Sequence, residues 1–233
     1  MSVVFEYAPL LWQGLWTTVL VTVLSGIVCV VVAFAAGMAR LSTPWYLRWP
    51  AGVFIEVFRG TSLLVQMFWF FFALPFFGIQ LFPMTAAVLA LGLNEGAYAA
   101  EVVRGAIVAR PKGQTEACVA LGMGPALRLR RVILPQSIPA MLPPLGNIMV
   151  DLLKNTSLVS LVTVADLTFR AQMIRNTTGQ TTAVFLTILV MYFLLSSVLT
   201  FVVGMLERRF SLDRKARTAG RREARQLAEA GVA

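Results

Sequence analysis

Apolar positions along this chain fall into long runs, each of a length that crosses a bilayer, separated by short charged islands. The first run, residues 10–38, carries no charge and gives way to Arg40 and Arg48. A second, 51–77, has Glu56 and Arg59 near its start, and a third, 84–108, contains Glu95 and Glu101. A fourth follows Pro135 and a fifth covers 183–205. At roughly 20 residues per crossing, this pattern predicts five transmembrane helices and an all-α integral membrane protein. The apolar piece 158–164 is too short to cross, and is expected to dip into or lie on the outer face as a gate or interfacial segment. Trp12, Trp16, Trp45 and Trp49 flank the first two runs at depths suited to an aromatic belt.

Composition agrees with a membrane protein. Hydrophobic residues make up 58% of the 233 positions and charged residues only 13%, too apolar a balance for a soluble domain. Five spans and their loops occupy residues 1–210 as one transmembrane domain and leave a basic tail, 211–233. With no His and only Cys29 and Cys118, neither a soft-metal site nor a His-based triad can be assembled from the chain. No catalytic residue and no metal ligand set is expected, and a disulfide between the two cysteines is not expected either, since they fall in different segments.

Charge decides orientation. Most of the 20 Lys and Arg residues lie in three places: Arg40 and Arg48, the island with its approach (Arg104, Arg110, Lys112, Arg128, Arg130, Arg131), and the tail beyond Glu207. The positive-inside rule puts all three in the cytoplasm, so the N-terminus is outside and the C-terminus inside. The net charge of +9 is then topogenic. Nucleic-acid binding is not expected, because the tail carries acids among its bases and no aromatic residue after Phe210 is available to stack on bases.

The island at residues 110–134 has a physical logic of its own. Residues 115–121 suit a short helix, with small Ala117 and Ala120 three apart on one face, where a partner's groove could approach closely. Gly122 can adopt the left-handed conformation that closes a helix, and Gly124-Pro125 prevents simple continuation. Glu116 is expected near the helix's amino end, favourably placed against the dipole.

Within the spans, an acidic residue at mid-bilayer costs about 2.5–3.5 kcal/mol, so such residues are expected to face protein or water. Glu101 and Arg104, three apart, suit an ion pair. Glu95 and Glu101 are six apart, which turns them well away from each other on a helix. Glu95 either lines a polar path or partners Arg59. Glu56, Arg59, Thr61 and Gln66 either offer polar groups to that path or serve helix packing around Gly60. Lys154, Asn155, Thr156 and Ser157 close the fourth span, and Asn155, Thr156 and Ser157 are expected to belong to a gate or extracytoplasmic-side segment.

Four blocks in order carry a resemblance: FRGTSLLVQ (58–66); GAYAAEVVRGAI (96–107); PKGQTEACVALG (111–122) with ILPQSIPAMLPPLGN (133–147); and LLKNTSLVSLV with ADLTFRAQ, ending at Gln172. Glu116-Ala117 and Ala120-Leu121-Gly122 resemble the cytoplasmic "EAA" coupling loop of bacterial ABC importer permeases. The four blocks together resemble the polar amino acid branch of that family, and the pairing of the first with the last is most similar to ectoine and hydroxyectoine permeases. Ser62, where the branch commonly has Pro, and Glu95, at a usually uncharged site, are departures. The resemblance implies a type I importer permease fold in the bacterial inner membrane. It also implies a cytoplasmic ATPase dimer that binds ATP and Mg, an extracytoplasmic solute-binding protein, and a second permease, identical or related. The implied ATPase-coupling residues are Glu116, Ala117, Ala120, Leu121 and Gly122. The chain itself lacks the Gly-Lys pair of a nucleotide-binding loop and is expected to be neither an enzyme nor cofactor-bound. A secondary transporter or channel using Glu95 and Asp151 is the alternative.

Overall fold

The computed structural model describes residues 6–210, and among these all regular structure is helical. The tail at 211–233 lies outside the described residues. Nine α-helices follow in order: α1 (Ala8–Leu41), α2 (Trp45–Gly60), α3 (Leu63–Phe68), α4 (Pro83–Val108), α5 (Lys112–Ala120), α6 (Pro125–Arg128), α7 (Leu134–Asn155), α8 (Leu167–Thr178) and α9 (Thr181–Phe210). A π-helical turn (Trp69–Ala73) and a 3₁₀ turn (Leu74–Phe77) extend α3, a second π-turn (Leu129–Ile133) joins α6 to α7, and a 3₁₀ segment (Thr156–Val162) extends α7.

Three helices, α1, α4 and α9, are long and apolar enough to cross a bilayer singly. Two bent pairs bring the number to as many as five. The second apolar run is one of them: instead of a continuous helix over 51–77, the chain turns by 105° between Trp45–Gly60 and Leu63–Phe77. The cause is local and polar. Thr61 and Ser62 adopt extended backbone angles, and the carbonyls they orphan are taken by side chains. Thr61 Oγ1 donates to the Val57 carbonyl at 2.7 Å, and both Gln66 Nε2 (2.8 Å) and Asn94 Nδ2 (2.9 Å) donate to that of Phe58. Where backbone must break at membrane depth, such internal partners are what make the break tolerable.

The centre of the molecule is α1 against α4, its most extensive helix pair. One face of α1 buries Gly14, Thr18, Val21, Ser25, Cys29, Ala33 and Gly37 at helical spacing, and α4 answers with glycines and alanines. A Cβ added to Gly92 would lie 2.6 Å from Val28 Cβ, and one on Gly96 2.8 Å from Val32 Cβ. Small residues thus allow the two backbones to approach, which is how helices gain packing energy where lipid competes equally for apolar side chains.

Of the two placements open to the segment after α7, dipping in or lying along a surface, the burial fits the first: the 3₁₀ turn buries Thr156, Val159, Ser160 and Val162, and Val159 and Val162 join Val21, Met67, Ala87 and Leu91 in one cluster. A short apolar turn gains more from this core than from an interface. Asp166 then caps α8, accepting from the Phe169 N–H at 2.8 Å and from the Tyr192 hydroxyl at 3.2 Å, while the Leu167 N–H donates to Thr18 Oγ1 at 3.1 Å. These bonds lock α8 between α1 and α9. Cys29 and Cys118 are both free and buried.

Candidate functional site

The break between α2 and α3 opens a cavity of about 750 Å³ against α4 and α7. Its wall on α4 is built at helical spacing by Glu95, Tyr98 and Val102, with Asn94 beside them. Glu95 is only 6% exposed, and its carboxylate accepts from Asn155 Nδ2 at 2.8 Å. Asn94 bridges the broken span, reaching the Phe58 carbonyl and Gln66 Oε1 (3.2 Å). Arg59 stacks its guanidinium over the Tyr98 ring, 5.2 Å from the centroid, while the Tyr98 hydroxyl donates to the Arg59 carbonyl at 3.3 Å. Among the described residues neither Arg59 nor Glu95 belongs to a salt bridge. Of the two readings of Glu95, the partner it finds is Asn155, not Arg59.

The remaining charges of the cavity are paired locally. Glu101 and Arg104 form an ion pair at 2.7 Å, as their spacing suggests, and Asp151 meets Lys154 at 3.4 Å. Glu95 and Glu101 are six positions apart, yet both line the one cavity, which is wide enough to be reached from two sides of α4. Glu101 is committed to its arginine and Glu95 is not. Chemically, the site offers one anchored carboxylate and one guanidinium placed over an aromatic ring, which matches a small zwitterion with an ammonium for the first and a carboxylate for the second.

The other residues singled out from sequence are placed as follows. Thr61 lines the cavity. Gln66 stands behind it, its Nε2 also 2.6 Å from Thr61 Oγ1, and serves to seal the helix break. Glu56 is exposed and outside the cavity lining. Asn155 lines the cavity, whereas Thr156 is fully buried and bonds the Leu153 carbonyl at 2.6 Å, and Ser157 accepts from Ser160 through its carbonyl at 2.9 Å. Tyr98 and Lys154 are cavity residues that were not assigned to a site from sequence. For Tyr98 a signal existed, since it lies one helical turn from Glu95.

At the other end of α4, α5 forms a projecting knob. It begins at Lys112, three residues earlier than expected, because Pro111 supplies the carbonyl that accepts from the Gln114 N–H at 3.1 Å. Glu116 therefore sits in mid-helix, and the dipole argument for it lapses. The close is as expected: Gly122 has φ +71°, its N–H bonds the Val119 carbonyl at 2.9 Å, and the Met123 N–H bonds that of Cys118 at 3.0 Å. Glu116, Ala117, Ala120, Leu121 and Gly122 are all exposed, with Leu121 at 79%, while Cys118 points inward. Arg110 Nη1 ties the loop to the Gln136 carbonyl at 3.2 Å, and Gln136 reaches Gln114 at 3.3 Å. An apolar tip held this firmly in the open is suited to insertion into a partner.

Comparison with known proteins is consistent across sequence and structure. The family of binding-protein-dependent transport system inner membrane components matches residues 29–212. A probable amino-acid ABC transporter permease of Sinorhizobium fredii is 45% identical over 87% of this chain and 87% of its own length. An L-cystine transport system permease of Bacillus subtilis is 40% identical (90% and 89%), and a glutamine transport system permease of Escherichia coli 38% (91% and 97%). Among solved structures, an amino acid ABC transporter crystallised with histidines superposes at a TM-score of 0.82 with 36% identity, covering 88% of this chain and 96% of that one. The inward-facing methionine transporter MetNI shares the fold, at a TM-score of 0.76 and 21% identity, over 88% and 98% of the two chains.

Proposed function

The chain belongs to the binding-protein-dependent transport system inner membrane components, as a permease of amino-acid ABC importers, and from that premise we propose that it carries polar, zwitterionic amino acids through the Arg59–Glu95 cavity. The observation that carries this reading is the pairing in one cavity of a buried carboxylate held by Asn155 with a guanidinium stacked on Tyr98 and free of any salt bridge among the described residues. A substrate carboxylate satisfies Arg59 and its ammonium satisfies Glu95, the second interaction strengthened by the burial of that carboxylate.

Energy comes from outside the chain. The α5 knob docks on a cytoplasmic ATPase dimer, which binds ATP and Mg, and the opposite face receives substrate from an extracytoplasmic solute-binding protein. Nearly complete switching between outward and inward states needs about 5.5 kcal/mol of differential binding, more than one side chain transmits. Glu116, Ala117, Ala120, Leu121 and Gly122 therefore act as one surface. A second permease subunit, identical or related, completes the path. Asp151 and Lys154 support it: their side chains are 61% and 59% exposed on α7 in a single chain, and charges at bilayer depth require protein or water rather than lipid. The orientation is N-out and C-in, in a bacterial inner membrane.

Uptake of labelled substrates by cells lacking their own carriers, expressing this chain with its ATPase and binding protein, tests the reading. Saturable uptake of one polar amino acid, lost without the ATPase, is expected. Uptake of ectoine that hydroxyectoine suppresses and amino acids do not would move the cargo to that cyclic zwitterion, which makes the same two charged demands. Transport persisting without the ATPase would replace the importer reading with a secondary transporter or channel.

A further inference from the structure

The α5 helix has a second face. Lys112, Thr115 and Glu116, at i, i+3 and i+4, line a cleft of about 730 Å³ beneath the helix, whereas Ala117, Ala120 and Leu121 point elsewhere and are absent from its walls. The cleft is amphipathic. Met38 and Leu41 at the end of α1, and Ile107 and Val108 at the end of α4, give it an apolar side. Arg110, Lys112 and Arg128 give it a basic side, against the single carboxylate of Glu116. Among the described residues none of these three cations forms a salt bridge. Arg110 spends one donor on the Gln136 carbonyl and leaves its buried Nε without a partner.

We propose that this cleft binds the headgroup of an anionic phospholipid from the leaflet on the loop side, its phosphate against Arg110, Lys112 and Arg128 and its acyl chains along the ends of α1 and α4. Position and charge argue for lipid over a soluble anion: the cleft opens where two spans end, its apolar half would be wasted on free phosphate, and basic pockets between spans on the cytoplasmic side suit acidic headgroups. Its walls share Glu116 with the docking surface but exclude Ala117, Ala120 and Leu121, so lipid in the cleft leaves the apolar tip of α5 open to the ATPase. Lipid bound there steadies the loop that transmits the ATPase's motion. The proposal rests on the reading of α5 as the cytoplasmic docking helix.

The test reconstitutes the complete importer in phosphatidylcholine vesicles with or without phosphatidylglycerol, releases it, and reads retained lipid by native mass spectrometry alongside ATPase retention. Phosphatidylglycerol should be retained in preference to phosphatidylcholine. Arg110→Gln, Lys112→Gln and Arg128→Gln should each weaken retention about fivefold, while Arg110→Lys preserves it and so separates lost charge from lost fold. Equal retention by the Gln variants, or no preference over phosphatidylcholine, overturns the proposal. Inorganic phosphate retained by the unaltered chain and lost from the Gln variants, with no phosphatidylglycerol retained, overturns it in favour of a free-anion site. Loss of the ATPase from the Gln variants with lipid retention unchanged assigns the cleft to the ATPase instead. An unaltered chain that holds phosphatidylglycerol but no ATPase would leave the lipid site standing and remove the docking reading.

Discussion

The Asn155 amide donates to the Glu95 carboxylate at 2.8 Å, joining residues 60 apart in the chain. That bond places the end of α7 against the middle of α4 and keeps the one uncommitted carboxylate of the cavity pointed at its contents. It also links the cavity to the 3₁₀ turn that begins at the next residue, Thr156.

Glu95→Gln keeps an acceptor for Asn155 but removes the charge. If an ammonium binds there, the loss of a charged hydrogen bond, about 1.5–3 kcal/mol, should raise KM for uptake by roughly tenfold to a hundredfold at unchanged expression. An unaltered KM would take Glu95 out of the substrate site.

The seal on the broken second span should be cooperative. Gln66 and Asn94 both donate to the Phe58 carbonyl and contact each other, so Gln66→Ala and Asn94→Ala are each expected to cost about 1–3 kcal/mol. Their double variant should fall short of the sum by about 0.5 kcal/mol or more. Thermal unfolding of the purified permease in detergent reads both; strict additivity would mean that the two amides act independently.

Gly92→Ala should overpack the α1–α4 contact, costing about 1–3 kcal/mol, since the new methyl would meet Val28. Gly60→Ala, with nothing within 4 Å of the added carbon, serves as the tolerant comparison. Similar melting temperatures for the two variants would contradict the close approach of these helices.

Gly122→Asp places a charge and a Cβ on the tip of the α5 knob at φ +71°, where no neighbouring atom lies within 4 Å. Aspartate tolerates the left-handed region better than most residues, so insertion in the membrane should survive while uptake and substrate-stimulated ATP hydrolysis fall. Full uptake by this variant would sink the coupling assignment.

Long apolar runs and their charged punctuation were enough to declare a membrane protein, because lipid imposes its requirement on each segment separately and sequence spacing reads that requirement directly. The closing glycine of α5 was legible for the same local reason, since only residue 122's own backbone decides it. The start of α5 lies three residues before the expected one, although its first bond, from the Gln114 N–H to the Pro111 carbonyl, is as local as the glycine's. Composition could not show that residues 51–77 break: Gly60, Thr61 and Ser62 permit a turn, and Thr61 and Gln66 bond its carbonyls locally, but the further bond to the Phe58 carbonyl comes from Asn94 on another helix. The site was half visible. Glu95 and Arg59 stood out as charges in apolar runs, yet that they do not pair, and that Asn155 holds the one and Tyr98 the other, was decided by how α2, α4 and α7 pack, which are contacts between residues far apart in the chain.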